Sequence, residues 1–83
     1  MPAKALKKFN NMYDDVTSKY TNDETFRIVM KYGENMLKLF PDFFNKETEV
    51  IGRISAMRQE LILRDHEKTE GIKVWKQQMK QKQ

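Results

Sequence analysis

The fold is decided by residues 46–81, which read KETEVIGRISAMRQELILRDHEKTEGIKVWKQQMKQ. Up to Leu61, apolar residues recur there every three or four positions, which is the spacing of one face of an α-helix. Residues 64–71 contain no apolar side chain, and the apolar pattern then resumes at Ile72. The step from Leu61 to Ile72 is eleven residues, close to three whole helical turns, so both residues lie on the same face. The spacing predicts one continuous helix over about residues 46–81.

Two shorter helices are predicted before it, over about residues 4–20 and 22–40. The first carries an apolar stripe at spacings of three and four residues, made of Leu6, Phe9, Tyr13, Val16 and Tyr20. Thr21 and Glu24 match a capping box, in which each side chain accepts a hydrogen bond from the backbone of the other, and they predict the start of the second helix. Pro41 predicts its end, because the residue before a proline is disfavoured in helical geometry.

The second predicted helix contains Gly33, although glycine inside a helix costs up to about 1 kcal/mol relative to alanine. We expect the close approach of another helix at this position as the compensation. Phe43 and Phe44 follow Pro41 at the corner before the long helix. They are expected to fold under the helices and close the end of the bundle.

These elements predict an all-α fold. A single helical domain, residues 1–83, forms a three-helix antiparallel bundle with a long third helix extending beyond it. At about 1.5 Å per residue, the first two helices reach roughly 25–30 Å and the third about 50 Å. The alternative is a four-helix bundle broken at Gly71, in which the C-terminal segment folds back and buries Trp75. Glycine is common at helix ends, so the spacing leaves this alternative open.

The projecting part of the long helix is expected to be an association surface, because monomeric proteins rarely leave a large apolar stripe in water. The predicted protein-interface residues share one face of this helix: Leu61, Asp65, Lys68, Ile72, Trp75 and Met79. If two copies align in antiparallel, Asp65 of one can pair with Lys68 of the other. Such polar positions would set the register of the pair, as they do in coiled coils. The expected partner is another protein or a second copy of the chain.

The positive charge is concentrated at the C-terminal end. The chain carries a net charge of +4, and the basic C-terminal extension, residues 72–83, contains no acidic residue. Its lysines are candidate anion- or nucleic-acid-binding residues: Lys73, Lys76, Lys80 and Lys82. With Trp75 beside them they could contact phosphates and stack on an unpaired base. The composition fits equally a solvated helix end whose lysines complement the helix dipole, and the apolar face is short for a membrane surface.

The sequence offers little for catalysis. The chain has no cysteine and a single histidine, His66. The neighbours of His66 on a helix, Asp65 and Glu67, point about 100° away from it and cannot form a relay on one face. The glycines lie singly, so no phosphate-binding loop is present. We therefore predict that the protein is not an enzyme and has no catalytic residues, metal site, cofactor or small-molecule substrate.

The predicted function is that of a non-catalytic helical adaptor or assembly module, which binds a protein partner or itself through the C-terminal half of the long helix. One alternative is a small basic nucleic-acid-binding module. Another is a self-contained helical regulator or inhibitor of one protein, which corresponds to the folded-back architecture. No apolar run approaches the ~18 residues that span a bilayer, and no signal peptide is visible. We expect an intracellular, soluble protein, cytoplasmic or nuclear.

Overall fold

The structure, a computed structural model, describes residues 1–81 and is helical throughout this range apart from short connections. The four helices of this range are α1 (Pro2–Ser18), α2 (Asp23–Leu39), α3 (Pro41–Phe44) and α4 (Thr48–Gln81). No strand occurs among these residues. The prediction of an all-α fold with a long last helix is therefore confirmed.

The three long helices form an antiparallel bundle around one apolar core. Helix α2 packs against both α1 and α4, and each of these helices contributes a stripe of buried side chains. The most deeply buried are Phe9, Phe44, Ile54 and Met57. Burial of side chains of this size is worth roughly 1.5–3 kcal/mol each relative to exposure. The core therefore supplies the main favourable contribution to folding.

Gly33 of α2 lies where side chains of α1 and α4 pack directly against the α2 backbone. A Cβ atom added at Gly33 would lie 2.6 Å from Cε1 of Phe9 on α1 and 2.9 Å from Cγ1 of Ile54 on α4. Both distances are shorter than any relaxed carbon–carbon contact. The missing side chain thus allows α1 and α4 to approach α2, as the sequence predicted.

The turn between α1 and α2 differs from the prediction in its cap. Helix α1 ends at Ser18, and Asn22 rather than Thr21 caps α2, with its side-chain oxygen accepting from the backbone N–H of Thr25 at 2.8 Å. Asparagine is among the most favourable N-cap residues and ranks above threonine. The hydroxyl of Thr21 instead donates back to the carbonyl of Val16. Because the chain leaves the helix early, Tyr20 does not continue the apolar stripe and is 85% exposed.

The corner after α2 is a single helical turn. Helix α3 starts at Pro41, where a proline is tolerated because its missing N–H would have no partner in any case. Phe44 is fully buried, whereas Phe43 is partly exposed and contacts it edge to face, with ring centroids 4.8 Å apart. Only Phe44 therefore closes the bundle end in the predicted way.

Helix α4 runs without a break through Gly71. The alternative four-helix bundle is wrong, and so is the burial of Trp75 that it predicted. The eleven-residue step from Leu61 to Ile72 keeps the apolar residues on one face of a continuous α4. Gly71 has an ordinary helical backbone with no positive φ angle. The described residues consequently extend over 61 × 22 × 16 Å. The long dimension reflects the part of α4 that has no helix beside it.

Candidate protein-docking surface

The C-terminal third of α4 projects beyond the rest of the bundle. Within residues 1–81, Lys68 is the last residue of α4 that bonds to another helix, through Asp23 at the start of α2. We call residues 69–81 the overhang. Residues 69–80 are all exposed, and at about 1.5 Å per residue the overhang is about 20 Å long.

An arginine holds α4 to the bundle just before the overhang begins. The guanidinium of Arg64 donates to the carbonyl of Thr21 at 2.9 Å, to Asp23 at 3.2 Å and to Glu60 at 3.1 Å. It also lies over the ring of Tyr20, 5.1 Å from its centroid. The side chain is only 12% exposed. Arg64 thus fixes α4 against the turn that connects α1 and α2.

Arg64 also contacts an aromatic ring of the core. Its guanidinium lies 4.7 Å from the centroid of the buried ring of Phe26. Contacts of this kind are worth about 0.5–2 kcal/mol, more when they are shielded from water. The Thr21 and Asp23 partners are 41–43 residues away in sequence. Spacing along the chain therefore gives no signal for these contacts of Arg64, and the sequence does not predict them.

Asp23 accepts hydrogen bonds from both Arg64 and Lys68, the two cations that anchor α4 to the bundle. A hydrogen bond from Lys68 lowers the pKa of Asp23, against a partial loss of hydration that raises it, and Arg64 lowers it further. The same contact with Asp23 raises the pKa of Lys68. Partial burial works against the charged form of Arg64, but hydrogen bonds to Glu60 and Asp23 outweigh it and raise its pKa. The folded state therefore favours the charged form of all three groups.

Three of the six predicted interface residues lie against the bundle rather than on the overhang. Leu61 is 7% exposed and belongs to the core, so its assignment to an interface is corrected. Asp65 lies 3.9 Å from Arg27 of α2, and Lys68 bonds to Asp23. Both charges therefore have partners within the chain. These partners arise because α2 extends further along α4 than the spacing indicates, and the pairing of Asp65 with Lys68 of a second copy stays a prediction.

The other three predicted interface residues form the apolar stripe of the overhang. Ile72, Trp75 and Met79 are each about half exposed, and Trp75 has 58% of its surface in water. They continue the same helix face that is buried at Met57 and Leu61. The structure therefore shows an apolar face that is covered by the bundle up to Leu61 and uncovered beyond Lys68.

The lysines of the overhang lie on another side of the helix. Lys73, Lys76 and Lys80 recur at spacings of three and four residues, which places them on one face. Lys73 pairs with Glu70 one turn earlier, at 3.5 Å. Lys82, the fourth of the candidate anion-binding lysines, lies outside the described residues.

A groove opens at the same end of the bundle, between the end of α1 and the middle of α4. We call it the α1–α4 groove; its volume is about 520 Å³. Its walls are mainly aromatic and apolar, and they include Tyr13, Val16, Tyr20, Phe26, Met57 and Arg64. The sequence does not predict this groove, because it is formed by residues of α1, α2 and α4 that lie far apart in the chain. The exposed Tyr20 at its edge is the one local signal.

Other kinds of site receive no support from the described part of the chain. No group of three or more His, Asp or Glu side chains is placed there to hold a metal ion. No helix within residues 1–81 combines the length and the apolar character needed to cross a bilayer. No protein-family model matches the chain, and no curated protein or solved structure shows significant similarity to it.

Proposed function

We propose that this chain is a non-catalytic assembly module, which binds protein through the apolar stripe of the overhang and whose first partner is a second copy of itself. The observation that supports this is the half-exposed stripe of Ile72, Trp75 and Met79, on a part of α4 that no other element within residues 1–81 covers. Each Å² of apolar surface that a partner covers contributes roughly 25 cal/mol. Tryptophan is also enriched among the residues that dominate binding energies.

The anchoring of α4 to the bundle also supports this proposal. An isolated helix shorter than ~12–15 residues is only marginally stable in water, so the overhang depends on the helix that precedes it. Arg64 and Lys68 hold that preceding part against α2. The stripe is therefore presented on a helix that is already formed, and association costs less conformational entropy than the folding of a free segment would.

Sedimentation velocity over a wide range of protein concentration tests this proposal. We expect the wild-type chain to shift from monomer to dimer as concentration rises, and Trp75→Ala to raise the dissociation constant at least about tenfold, the equivalent of ~1.4 kcal/mol. Ile62→Ala is the matched control. Ile62 is about as exposed as Trp75 but lies roughly 140° around α4 from it. A wild-type chain that stays monomeric at every concentration would contradict the proposal.

The lysine face supports nucleic-acid binding as a second candidate function. Lys76 and Lys80 lie on the same side of the overhang as Lys73, and Trp75 is exposed beside them. Fluorescence anisotropy with a labelled single-stranded oligonucleotide tests it. Binding through phosphates should weaken steeply between about 50 and 200 mM salt, and Lys76→Gln with Lys80→Gln should reduce the salt dependence. Apolar self-association should change little over the same range.

A further inference from the structure

We infer that the overhang of one copy occupies the α1–α4 groove of a second copy, and that the exchange is reciprocal. The inference rests on the proposed function and identifies the surface that receives the overhang. It explains two uncovered features with one contact. The apolar stripe of α4 needs a partner, and the groove is an open apolar recess at the same end of the molecule.

The positions of the two features along α4 make the exchange geometrically consistent. The groove is lined on α4 by Ala56, Met57, Glu60 and Arg64. The stripe runs from Ile72 to Met79. Both features lie within about three turns of Lys68, on opposite sides of it. When two α4 helices align in antiparallel about a two-fold axis near Lys68, each overhang therefore lies beside the groove of the other copy.

The groove can take the side chains of the stripe. Its volume of about 520 Å³ lies within the ~300–1,000 Å³ range of cavities that enclose a drug-sized molecule, and it is more than one indole ring needs. Aromatic walls suit Trp75, since aromatic pairs gain energy beyond the area they bury. Met79 can adapt its shape to what remains. Docking would also cover the exposed ring of Tyr20, which stacks on Arg64 at the groove edge.

The charges at the groove permit docking. Its lining includes Lys19 and Arg64 as well as Glu60. Lys19 pairs with Asp15 at 3.4 Å, and Arg64 pairs with Asp23 and Glu60, so both cations of the groove already have acidic partners within the chain. The lysines of the overhang lie on another side of the helix from the stripe, so the stripe can enter the groove while these lysines stay in water at its rim.

The area required for a stable dimer also favours the groove over a pairing of overhangs alone. A helix about 20 Å long and about 10 Å wide has a footprint on the order of 200 Å². Two overhangs lying against each other would cover far less than the ~1,200 Å² of a stable interface. In the reciprocal arrangement each overhang contacts both α1 and α4 of the other copy, and the contact is made twice.

Helix register identifies which residues should face each other across the interface. Arg53 bonds to Asn10 and Arg64 bonds to Thr21, in each case 43 residues apart. Helix α1 therefore runs beside α4 with that offset, and Thr17 is level with Glu60. The antiparallel pair about Lys68 places Glu60 opposite Lys76 of the other copy. Thr17 and Lys76 of different copies should consequently be neighbours.

Cysteine cross-linking tests this directly, because the chain contains no cysteine of its own. Thr17→Cys and Lys76→Cys proteins are mixed and treated with a short bismaleimide linker. We expect a heterodimeric product to dominate. Lys31→Cys is the control partner, since Lys31 is an exposed residue of α2 outside the groove, and it should give little product with Lys76→Cys. Products that join only Lys76→Cys chains to each other would show pairing of overhangs and would overturn this inference.

A charge placed in the groove provides the second readout. Ala56 is exposed and lines the groove, and the antiparallel pair about Lys68 places it opposite Lys80 of the other copy. Ala56→Lys should therefore leave the helix content unchanged and raise the dimer dissociation constant about tenfold or more, because it sets like charges opposite each other. Ser55→Lys, one residue earlier on an exposed position, should leave association unchanged. If the wild type dimerises and Ala56→Lys dimerises equally well, the groove is not the receiving surface while the proposed function stands. If no dimer forms at all, both fail.

Discussion

Arg64 of α4 donates a hydrogen bond to the carboxylate of Asp23, the first residue of α2, at 3.2 Å. The two residues are 41 positions apart, and their contact closes the end of the bundle from which the overhang departs. Asp23 also accepts from Lys68. One carboxylate therefore defines the point at which α4 loses its last helical neighbour.

Replacing Arg64 should destabilise the bundle. Arg64→Ala removes a hydrogen bond to the Thr21 carbonyl and two stacked aromatic contacts, and we expect a loss of about 1–2 kcal/mol in the free energy of unfolding. Urea denaturation followed by circular dichroism measures it. Arg58→Ala is the control, because Arg58 is half exposed and pairs only across the surface with Glu34. That change should cost less than about 1 kcal/mol, and equal losses would contradict the role given to Arg64.

The contacts of Asp23 predict how stability responds to acid. Because the pKa of Asp23 is lowered in the folded state, its contribution is fully present above the unfolded value of about 3.9 and is lost as pH falls through the folded value. The pKa of Lys68 is raised, so its contribution is present at neutral pH and lost only as pH rises above about 10.4. Stability should therefore be flat near neutral pH with respect to this pair.

Urea denaturation at pH 7 and pH 3 checks the acid side of this prediction. The wild type should lose stability between the two conditions, and Asp23→Asn should lose less, because the amide does not titrate. Asp42→Asn is a suitable control for the general effect of removing a carboxylate, since Asp42 is an exposed residue of α3. A wild-type profile that Asp23→Asn leaves unchanged would show that the anchor contributes nothing to the acid response.

The overhang could be predicted from the sequence, whereas the anchor and the groove could not. The continuity of α4, with its apolar residues on one face, depends only on spacings within one helix, such as that from Leu61 to Ile72. The extent of α2 beside α4 depends on contacts such as that of Asp23 with Lys68, which no local pattern encodes. For this reason the spacing places Leu61 on the projecting surface, although it is the last core residue of its stripe.

Two alanine substitutions should act in opposite directions. In Gly33→Ala the new methyl group meets Phe9 and Ile54 at distances of 2.6–2.9 Å. Overpacking of this kind costs ~1–3 kcal/mol, and the gain in helix propensity of up to about 1 kcal/mol offsets only part of it. Gly52→Ala meets no atom within 4 Å and should stabilise by up to about 1 kcal/mol. Thermal unfolding followed by circular dichroism measures both, and a stabilising Gly33→Ala would show that the helices separate easily.

The continuity of α4 through Gly71 allows the folding of the bundle to be separated from association. Gly71→Pro removes a helical hydrogen bond and introduces a clash one turn earlier, at a cost of ~3 kcal/mol or more for a continuous helix. Residues 72–81 would then be too short to remain helical alone. Beyond Lys68, the described residues make no hydrogen bond or ion pair to another helix; their bonds, such as that of Lys73 with Glu70, stay within α4. At concentrations where the wild type is monomeric, the unfolding midpoint of Gly71→Pro should therefore stay near that of the wild type while the helical signal falls. At higher concentrations Gly71→Pro should fail to dimerise. Gly71→Ala, where an added Cβ meets no atom within 4 Å, should keep or strengthen the dimer. A marked loss of thermal stability in Gly71→Pro would instead mean that the overhang supports its own bundle.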